Sequence, residues 1–472
     1  MRFLASLFLF LLPHSAFADK PNIILVLLDD SGWTDLGCYG SEIDTPNIDR
    51  AASEGMRFTD CHSAAPNCSP SRAGLLTGRT PSRVGMYSYR PPNHPMHLRG
   101  EEITIAEILK GEGYHTGHFG KWHLSTLLDE RQATPADQGF DYSLGTDNNA
   151  SPNHRNPVNF VRNGVPVSET EGYSCQIVVD EALSWLERIE AGSEEASPFF
   201  ACLWYHEPHT PIASPPELVE KYQVKFPDLS KKDATYYANI ENIDLATGRL
   251  FTHLRDLGIE RETLVFFTSD NGGLNDYSNA GLRGKKSNVW EGGHRVPGIF
   301  WWPGTIPAER ENETPISGID FLPTICELVG APVPTDRTID GTSLAGVLTR
   351  GEATLERETP LYWFFYRLNP SLALRKGKWS LIAETNDAAR PKSHGLTAED
   401  MPFIKASRPE KYLLFDLEVD QAQEQDVSQM YPEVLQRLQQ AATKLHADVM
   451  KDGPIWEIQE YQGSKKKLWD SY

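Results

Sequence analysis

From Pro21 to about Gly346, short unbroken apolar runs alternate with longer stretches whose apolar positions recur at helical spacing. "NIILVLL", ending at Leu28, reads as a strand buried on both faces, and "FFACLWY" (199–205) and "TLVFFTS" (263–269) read the same way. "TIAEILKGEGY" opens on Thr104 with Glu107 three residues on, the spacing of a reciprocal helix N-cap, and closes at glycines. The span from Asp233 to Leu257 keeps a helical period throughout. Continuous apolar strands alternating with helices predict an α/β fold, a large and mainly parallel sheet sandwiched by helices.

After about residue 350 the pattern changes. "LYWFFY", "LALRKGKWSLIA" and "KYLLFDL" read as antiparallel strands, the middle one turning at Lys376-Gly377-Lys378, and a helix follows from Tyr431 to Met450. Two units are expected: residues 19–350, and a smaller C-terminal α+β domain over 351–472 with a short antiparallel sheet. The polar, Pro-containing segment from Glu384 to Arg408 reads as a loop, and the end "GSKKKLWD" as a solvated tail.

The first residues stand apart. One basic residue, an apolar run from Phe3 to Leu12 and small residues at Ala16 and Ala18 form the pattern of a cleavable signal peptide over 1–18. The run is too short to span a bilayer, so a secreted or periplasmic chain is expected. The sequence has 472 residues, 39% of them hydrophobic, enough for a large core. Its formal net charge of −20 argues against nucleic acid and against anionic membranes as partners. Any anionic ligand must then be held by a small local basic site. Six cysteines are too few for a disulfide scaffold in a chain of this size. They leave open one bridge, Cys61 to Cys68, which export would favour.

Two acidic pairs end two of the expected strands. Asp29 and Asp30 follow the first, and Asp270 with Asn271 follow "TLVFFTS", so in a parallel sheet both emerge at the carboxyl edge where ligand crevices form. Three carboxylates and an amide oxygen suit a hard cation, Ca²⁺ or Mg²⁺; Asp-Asp-Ser-Gly and Asp-Asn-Gly-Gly are equally ordinary loop openings. In "APNCSPSRAGLLTG" a helix beginning near Pro70 would offer free N–H groups and its positive end to residue 68, with Arg72 adding a fixed charge. Further basic groups recur at Lys121 and His123 in "GKWHL", His206 and His209 in "WYHEPH", and Lys285 and Lys286 in "RGKKSNVWEGG". Each alone reads equally as a surface or core residue.

Together these stretches match a family. "CSPSR" fits Cys-x-Pro-x-Arg, and with "AGLLTGR" it resembles the signature of type I, formylglycine-dependent sulfatases of the alkaline-phosphatase-like superfamily. "PNIILVLLDDSGWTDLGCYG", "GYHTGHFGKWHL", "HEPHTP", "SDNGG", "WEGGHRVP" and "YLLFDLEVDQAQEQDV" occur in the family's order, so the resemblance spans most of the chain. It implies an alkaline-phosphatase-like fold and an exported sulfuric ester hydrolase acting on a sulfated carbohydrate, with general likeness to arylsulfatases and N-acetylgalactosamine-6-sulfatases. It also implies that a maturation enzyme oxidises Cys68 to formylglycine, whose hydrate attacks sulfur with one hydroxyl and expels sulfate with the other.

By the same likeness Asp29, Asp30, Asp270 and Asn271 bind calcium, with magnesium the second choice and residue 68 completing the site. Arg72 and Lys121 hold the nucleophile, His123 is the base for the elimination, and His206 with Lys286 protonates the leaving oxygen. Lys286, four residues before Trp290, ranks ahead of Lys285. The loop "MYSYRPPNHPMHLRG" and the segment 141–172 interrupt the α/β pattern and are expected to line the substrate subsite, with His94, His97, Arg99 and His209 touching substrate. The acidic surface favours a chain end or oligosaccharide, and galactose-type 6-sulfate follows from the general likeness. Two alternatives remain: a phosphonate monoester or phosphodiester hydrolase of the same superfamily, and a non-catalytic secreted binding protein.

Overall fold

In the computed structural model, residues 20–192, 197–369, 371–386 and 395–458 are described; the expected signal peptide and lysine-rich tail lie outside them. Successive side chains of the first strand, β1 (Asn22–Leu28), point into two different cores. Ile23, Leu25 and Leu27 enter one, and Ile24, Val26 and Leu28 the other. A strand buried on both faces needs covering layers on both, which is why its sequence is uninterrupted apolar rather than alternating.

The sheet is completed by β2 (Met56–Phe58), β4 (His115–Lys121), β5 (Tyr142–Thr146), β6 (Val161–Arg162), β7 (Val165–Pro166), β8 (Phe199–Trp204), β9 (Thr263–Ser269), β10 (Gly298–Trp301) and β11 (Arg310–Asn312). Its order is β11-β2-β10-β9-β1-β8-β4-β5-β6-β7, with β9, β1, β8, β4 and β5 mutually parallel and the outer pairs mixed. A two-stranded ladder joins β3 (Cys61–His62) to β12 (Ile316–Ser317). Helices α1 (Pro46–Glu54), α4 (Ser174–Gly192), α5 (Pro216–Lys225) and α6 (Lys231–Asp256) cover one face, while α2 (Cys68–Thr77) and α3 (Ile105–Gly111) lie on the other.

The capping box at Thr104 and Glu107 is present. The long helix starts two residues before the expected Asp233, because the Ser230 hydroxyl accepts from Asp233 N–H at 3.1 Å and sets the cap. α2 also starts early: Cys68 is its first residue and Asn67 its N-cap position, with Pro70 tolerated inside the first turn.

The C-terminal sheet is an antiparallel meander of β13 (Leu361–Phe364), β14 (Leu372–Lys376), β15 (Trp379–Thr385) and β16 (Pro409–Asp416), turning at Gly377 as expected. Its Leu372, Leu374, Leu381 and Leu414 join the core under α2 and α3, so this region shares a core with the large sheet. Its other face carries Leu361, Trp363, Ile382 and Phe415 against Ala64, Val289 and Trp290. The segment expected to be all loop contains a short helix, Asp400–Ala406, whose Met401 and Ile404 reach the core. No helix among the described residues is long and apolar enough to cross a membrane.

At Gly120 β4 passes close against the end of β8. Its φ is +107°, and a Cβ there would meet the Trp204 carbonyl oxygen at 1.9 Å. Gly120→Ala should therefore lower the free energy of urea unfolding by about 2–4 kcal/mol, through backbone strain and overpacking together. A loss below about 1 kcal/mol would show that the strand adjusts.

Candidate active site

Backbone pairing continues past the strand ends. Asp270 N–H donates to Leu28 O and Asp29 N–H to Glu207 O, each at 3.0 Å, and Tyr205 N–H donates to Leu27 O at 2.9 Å. The residues that follow β9, β1 and β8, together with the end of β4, are thereby held along one edge. Asp29, Asp30, Asp270, Asn271, Lys121 and His206 are all buried there.

The carboxylates are met by cations from elsewhere. Arg72, from the first turns of α2, donates through Nε and Nη2 to Asp270 Oδ2 at 3.0 and 2.7 Å and through Nη1 to Lys121 O at 2.8 Å. Lys121 Nζ reaches Asp29 Oδ2 at 2.7 Å. Lys286 Nζ reaches Asp30 at 2.7 Å. Burial opposes charge on Asp30, but Lys286, His209 and Lys121 outweigh it and hold the carboxyl well below its ordinary range. At Asp270, burial and the neighbouring Asp29 push the carboxyl up to about 6 against Arg72. Lys285, by contrast, is exposed.

Cys68 opens α2 facing this cluster. Its Sγ, a carboxylate oxygen each from Asp29 and Asp30, and a His209 ring nitrogen all lie within 4.8 Å of one another. All six cysteines are free thiols, so the Cys61–Cys68 bridge is not formed. Burial pushes the Cys68 thiol up to about 12, with Lys121 and Lys286 pulling the other way.

The histidines sort by their partners. His123, held at φ +57°, sets Nε2 2.9 Å from Arg90 O; a carbonyl only accepts, so Nε2 carries the proton and the buried, partnerless Nδ1 is left as the acceptor. His206 was expected to protonate the leaving oxygen and His209 to touch substrate; of the two, His209 stands against Asp30. His206 is fully buried, with Nε2 2.8 Å from Thr146 Oγ1. The Thr146 hydroxyl gives its own proton to Asn148 O, so it accepts from His206 Nε2 and ties that ring into the scaffold. His209 is 12% exposed, anchored through Nδ1 by Thr210 O at 2.6 Å, with Nε2 3.5 Å from Asp30 beside Lys286.

The other three expected substrate contacts are engaged in the scaffold. His94 is fully buried, with Nε2 2.7 Å from Leu396 O and Nδ1 accepting from Met96 N–H. His97 packs on Trp456 and bonds Pro95 O. Arg99 pairs with Glu101 and Glu102. Two contributors escaped the sequence reading. Asn149 bridges Lys121 Nζ at 3.0 Å and the His209 ring at 2.9 Å. Arg90 donates its N–H to Ser69 Oγ at 3.0 Å while its carbonyl holds His123. Both lie in the loops expected to line the subsite, but nothing in their residue types singled them out.

The donor set fits a hard cation. Asp29 Oδ1 and Asn271 Oδ1 are buried without a hydrogen-bond partner, and the Asn271 amide is oriented by its Nδ2 donating to Asp30 Oδ1 at 2.8 Å. Orphaned buried oxygens beside two further carboxylates are costly unless a cation takes them.

The Sulfatase family profile matches residues 21–331. The chain is 36% identical over 390 residues to the N-acetylgalactosamine-6-sulfatase of Canis lupus familiaris, covering 76% of this chain and 71% of that protein. It is 34% identical over 482 residues to Homo sapiens arylsulfatase A, covering 92% and 89%. A solved structure of Ps i-CgsB in complex with k-i-k-neocarrahexaose superposes with a TM-score of 0.79 at 27% identity, over 94% of this chain and 96% of that one.

The orphaned oxygens generate a prediction that needs no substrate. Calcium at a hundredfold excess over its dissociation constant should stabilise the protein against urea by about 2.7 kcal/mol. Asp29→Asn combined with Asn271→Ala should remove most of that gain; an equal gain in the variant would place the ion elsewhere.

Proposed function

The chain belongs to the sulfatase family, whose members are sulfuric ester hydrolases, and we propose that it removes sulfate from carbohydrate through a formylglycine made from Cys68. The observation that carries this reading is the position of residue 68 at the start of α2, against Asp29 and Asp30 and within the reach of Lys121 and Lys286. As a cysteine that residue is protonated at neutral pH and is a poor nucleophile. A hydrated formylglycine supplies one hydroxyl to attack sulfur and a second whose deprotonation releases sulfate. Calcium, with magnesium second, would be held by Asp29, Asp30, Asp270 and Asn271, supplying charge stabilisation at the sulfate oxygens.

The chain's own residues divide the remaining work. Arg72 and Lys121 place positive charge beside residue 68, where charge on oxygen develops. His123 Nδ1, its proton-bearing Nε2 tied to Arg90, accepts the proton of the elimination step. Lys286 and His209, side by side at Asp30, serve the leaving oxygen.

A formylglycine-generating maturation enzyme is the partner this chemistry requires, and the leader over 1–18 would send the protein to the periplasm or medium. The net charge of −20 repels a long polyanion, which favours sulfate at a chain end or on an oligosaccharide. Relatives named N-acetylgalactosamine-6-sulfatase support a galactose-type 6-sulfate.

Purified protein should hydrolyse an aryl sulfate faster than an aryl phosphodiester, and Cys68→Ala should abolish turnover. Peptide mass spectrometry across residue 68 should find the aldehyde. Faster phosphodiester turnover would move the protein to the alternative ester, and an aldehyde-bearing protein inert towards both would be a binding protein. Lys286→Ala should lower kcat by about 10²–10³-fold and Lys285→Ala by less than about twofold. His209→Ala should cost about 10²-fold or more and exceed His206→Ala; the opposite order would return the acid role to His206.

A further inference from the structure

Two stretches of chain deliver the reacting groups, and they lie side by side. One runs from β3 to Cys68 and the other from Lys286 to Arg295. Ser287 N–H donates to Pro66 O at 2.6 Å, Ser63 N–H to His294 O at 2.8 Å, and Val296 N–H to Cys61 O at 2.9 Å. Between them the buried rings of His62 and His294 meet, Nδ1 to Nδ1, at 3.0 Å.

The protons on this pair can be counted. His294 Nε2 lies 3.1 Å from Val289 O, and a carbonyl only accepts, so that nitrogen carries a proton. His62 Nε2 lies 2.8 Å from Asp60 Oδ1. Arg295 sits on the same carboxylate at 2.9 Å and Arg375 at 2.7 Å, holding Asp60 ionised and able only to accept, so His62 Nε2 is protonated too. Two bare lone pairs at 3.0 Å would repel. The contact therefore requires one more proton between the Nδ1 atoms.

We propose that His62 and His294 share a single proton, and that this buried imidazole–imidazolium clasp is a positioning element tying the Cys68 arm to the Lys286 arm. The groups facing it are Asp60 from its own segment, Glu291 and Arg295 from the arm of His294, and Arg375 from β14. The His294 ring stacks on Trp363 with centroids 4.0 Å apart and planes at 8°, and Trp363 Nε1 donates to Ser63 O at 2.8 Å. The charge thus lies over an indole that also bonds the Cys68 arm. Burial, with His62 adding to it and Glu291 opposing, pushes His294 down to about 3, which excludes a second extra proton. The titration belongs to the pair and to neither ring alone.

The sign of the linkage follows. Between the ordinary histidine range and the pair's own titration the fold keeps one proton that the unfolded chain has lost, so stability falls as pH rises through that window; below it the unfolded chain binds two protons and the pair one, and stability falls as pH falls. His294→Asn removes the need for it, because an amide can donate to a neutral His62 Nδ1.

The test uses the whole protein. Labelled-histidine nitrogen NMR at neutral pH should show the two Nδ1 atoms coupled through one proton. Two singly protonated, uncoupled rings would overturn the proposal, and so would a stoichiometric transition-metal ion that elemental analysis finds in the wild type and not in His294→Asn. In urea unfolding, the wild-type unfolding constant should rise with pH by up to about tenfold per unit more than that of His294→Asn while the proton is lost; parallel or opposite slopes would overturn it. Only the kinetic consequence rests on the sulfatase reading: wild-type kcat should fall in the same step, with KM changed less than about twofold, and His294→Asn should lack the step. An enzyme inert on sulfate esters would sink that reading while NMR and unfolding still decide the clasp.

Discussion

The burial of three carboxylates side by side at the ends of two parallel strands constrains everything around them. At 4 Å and an effective dielectric near 20, each like-charge pair costs about 4 kcal/mol before desolvation. Arg72, Lys121 and Lys286 bring one cation each to Asp270, Asp29 and Asp30 and offset that repulsion. Those cations come from α2, from the end of β4 and from the loop after β9, so the repulsion welds distant parts of the chain into one site. The same repulsion leaves oxygens that protein donors do not satisfy, and a hard cation is the chemical remedy.

The C-terminal region follows from that constraint. Two of the arms that carry charge into the site, those of Cys68 and Lys286, have little secondary structure of their own. The antiparallel sheet supplies the missing support: Trp363 and Phe415 pack on Ala64 and Trp290, and Arg375 reaches Asp60. Gln423, just after β16, accepts from Glu291 N–H at 2.9 Å and donates to Ser380 at 3.0 Å. Glycines allow the arms to close, since a Cβ on Gly272 would meet Gly292 O at 2.1 Å. The region is a buttress of the site and part of its core.

Much of this was legible in the residues. Strands buried on both faces announce themselves as continuous apolar runs, and β1 and β9 begin and end where "NIILVLL" and "TLVFFTS" do. The acidic pairs, Cys68, Arg72 and Lys121 fell together because strand ends and helix starts are local features. Choice between neighbours is harder to read. His206 and His209 sit in one short motif, and which ring faces the carboxylates depends on Thr146 and Asn149, far upstream in sequence. Lys286 was separable from Lys285 only by family likeness. His94, His97 and Arg99 had suitable chemistry but are committed to Leu396, Trp456 and Glu102. The His62–His294 contact spans more than two hundred residues and has no local signature.

The charges also bear on which substrates the site can use. Three buried carboxylates and the three cations paired with them sum to zero, so a bound dication would leave the pocket doubly positive inside a protein whose net charge is −20. Such a field is local: at physiological ionic strength exposed charges are screened within about 8 Å. A single sulfate group that enters meets uncompensated positive charge at contact distance, while the rest of a polyanion would meet the acidic exterior. On the proposed reading recognition would come from the sulfate and the few atoms beside it, where Lys286, His209 and Asn149 stand together, and discrimination between esters would turn on how those three receive the leaving oxygen.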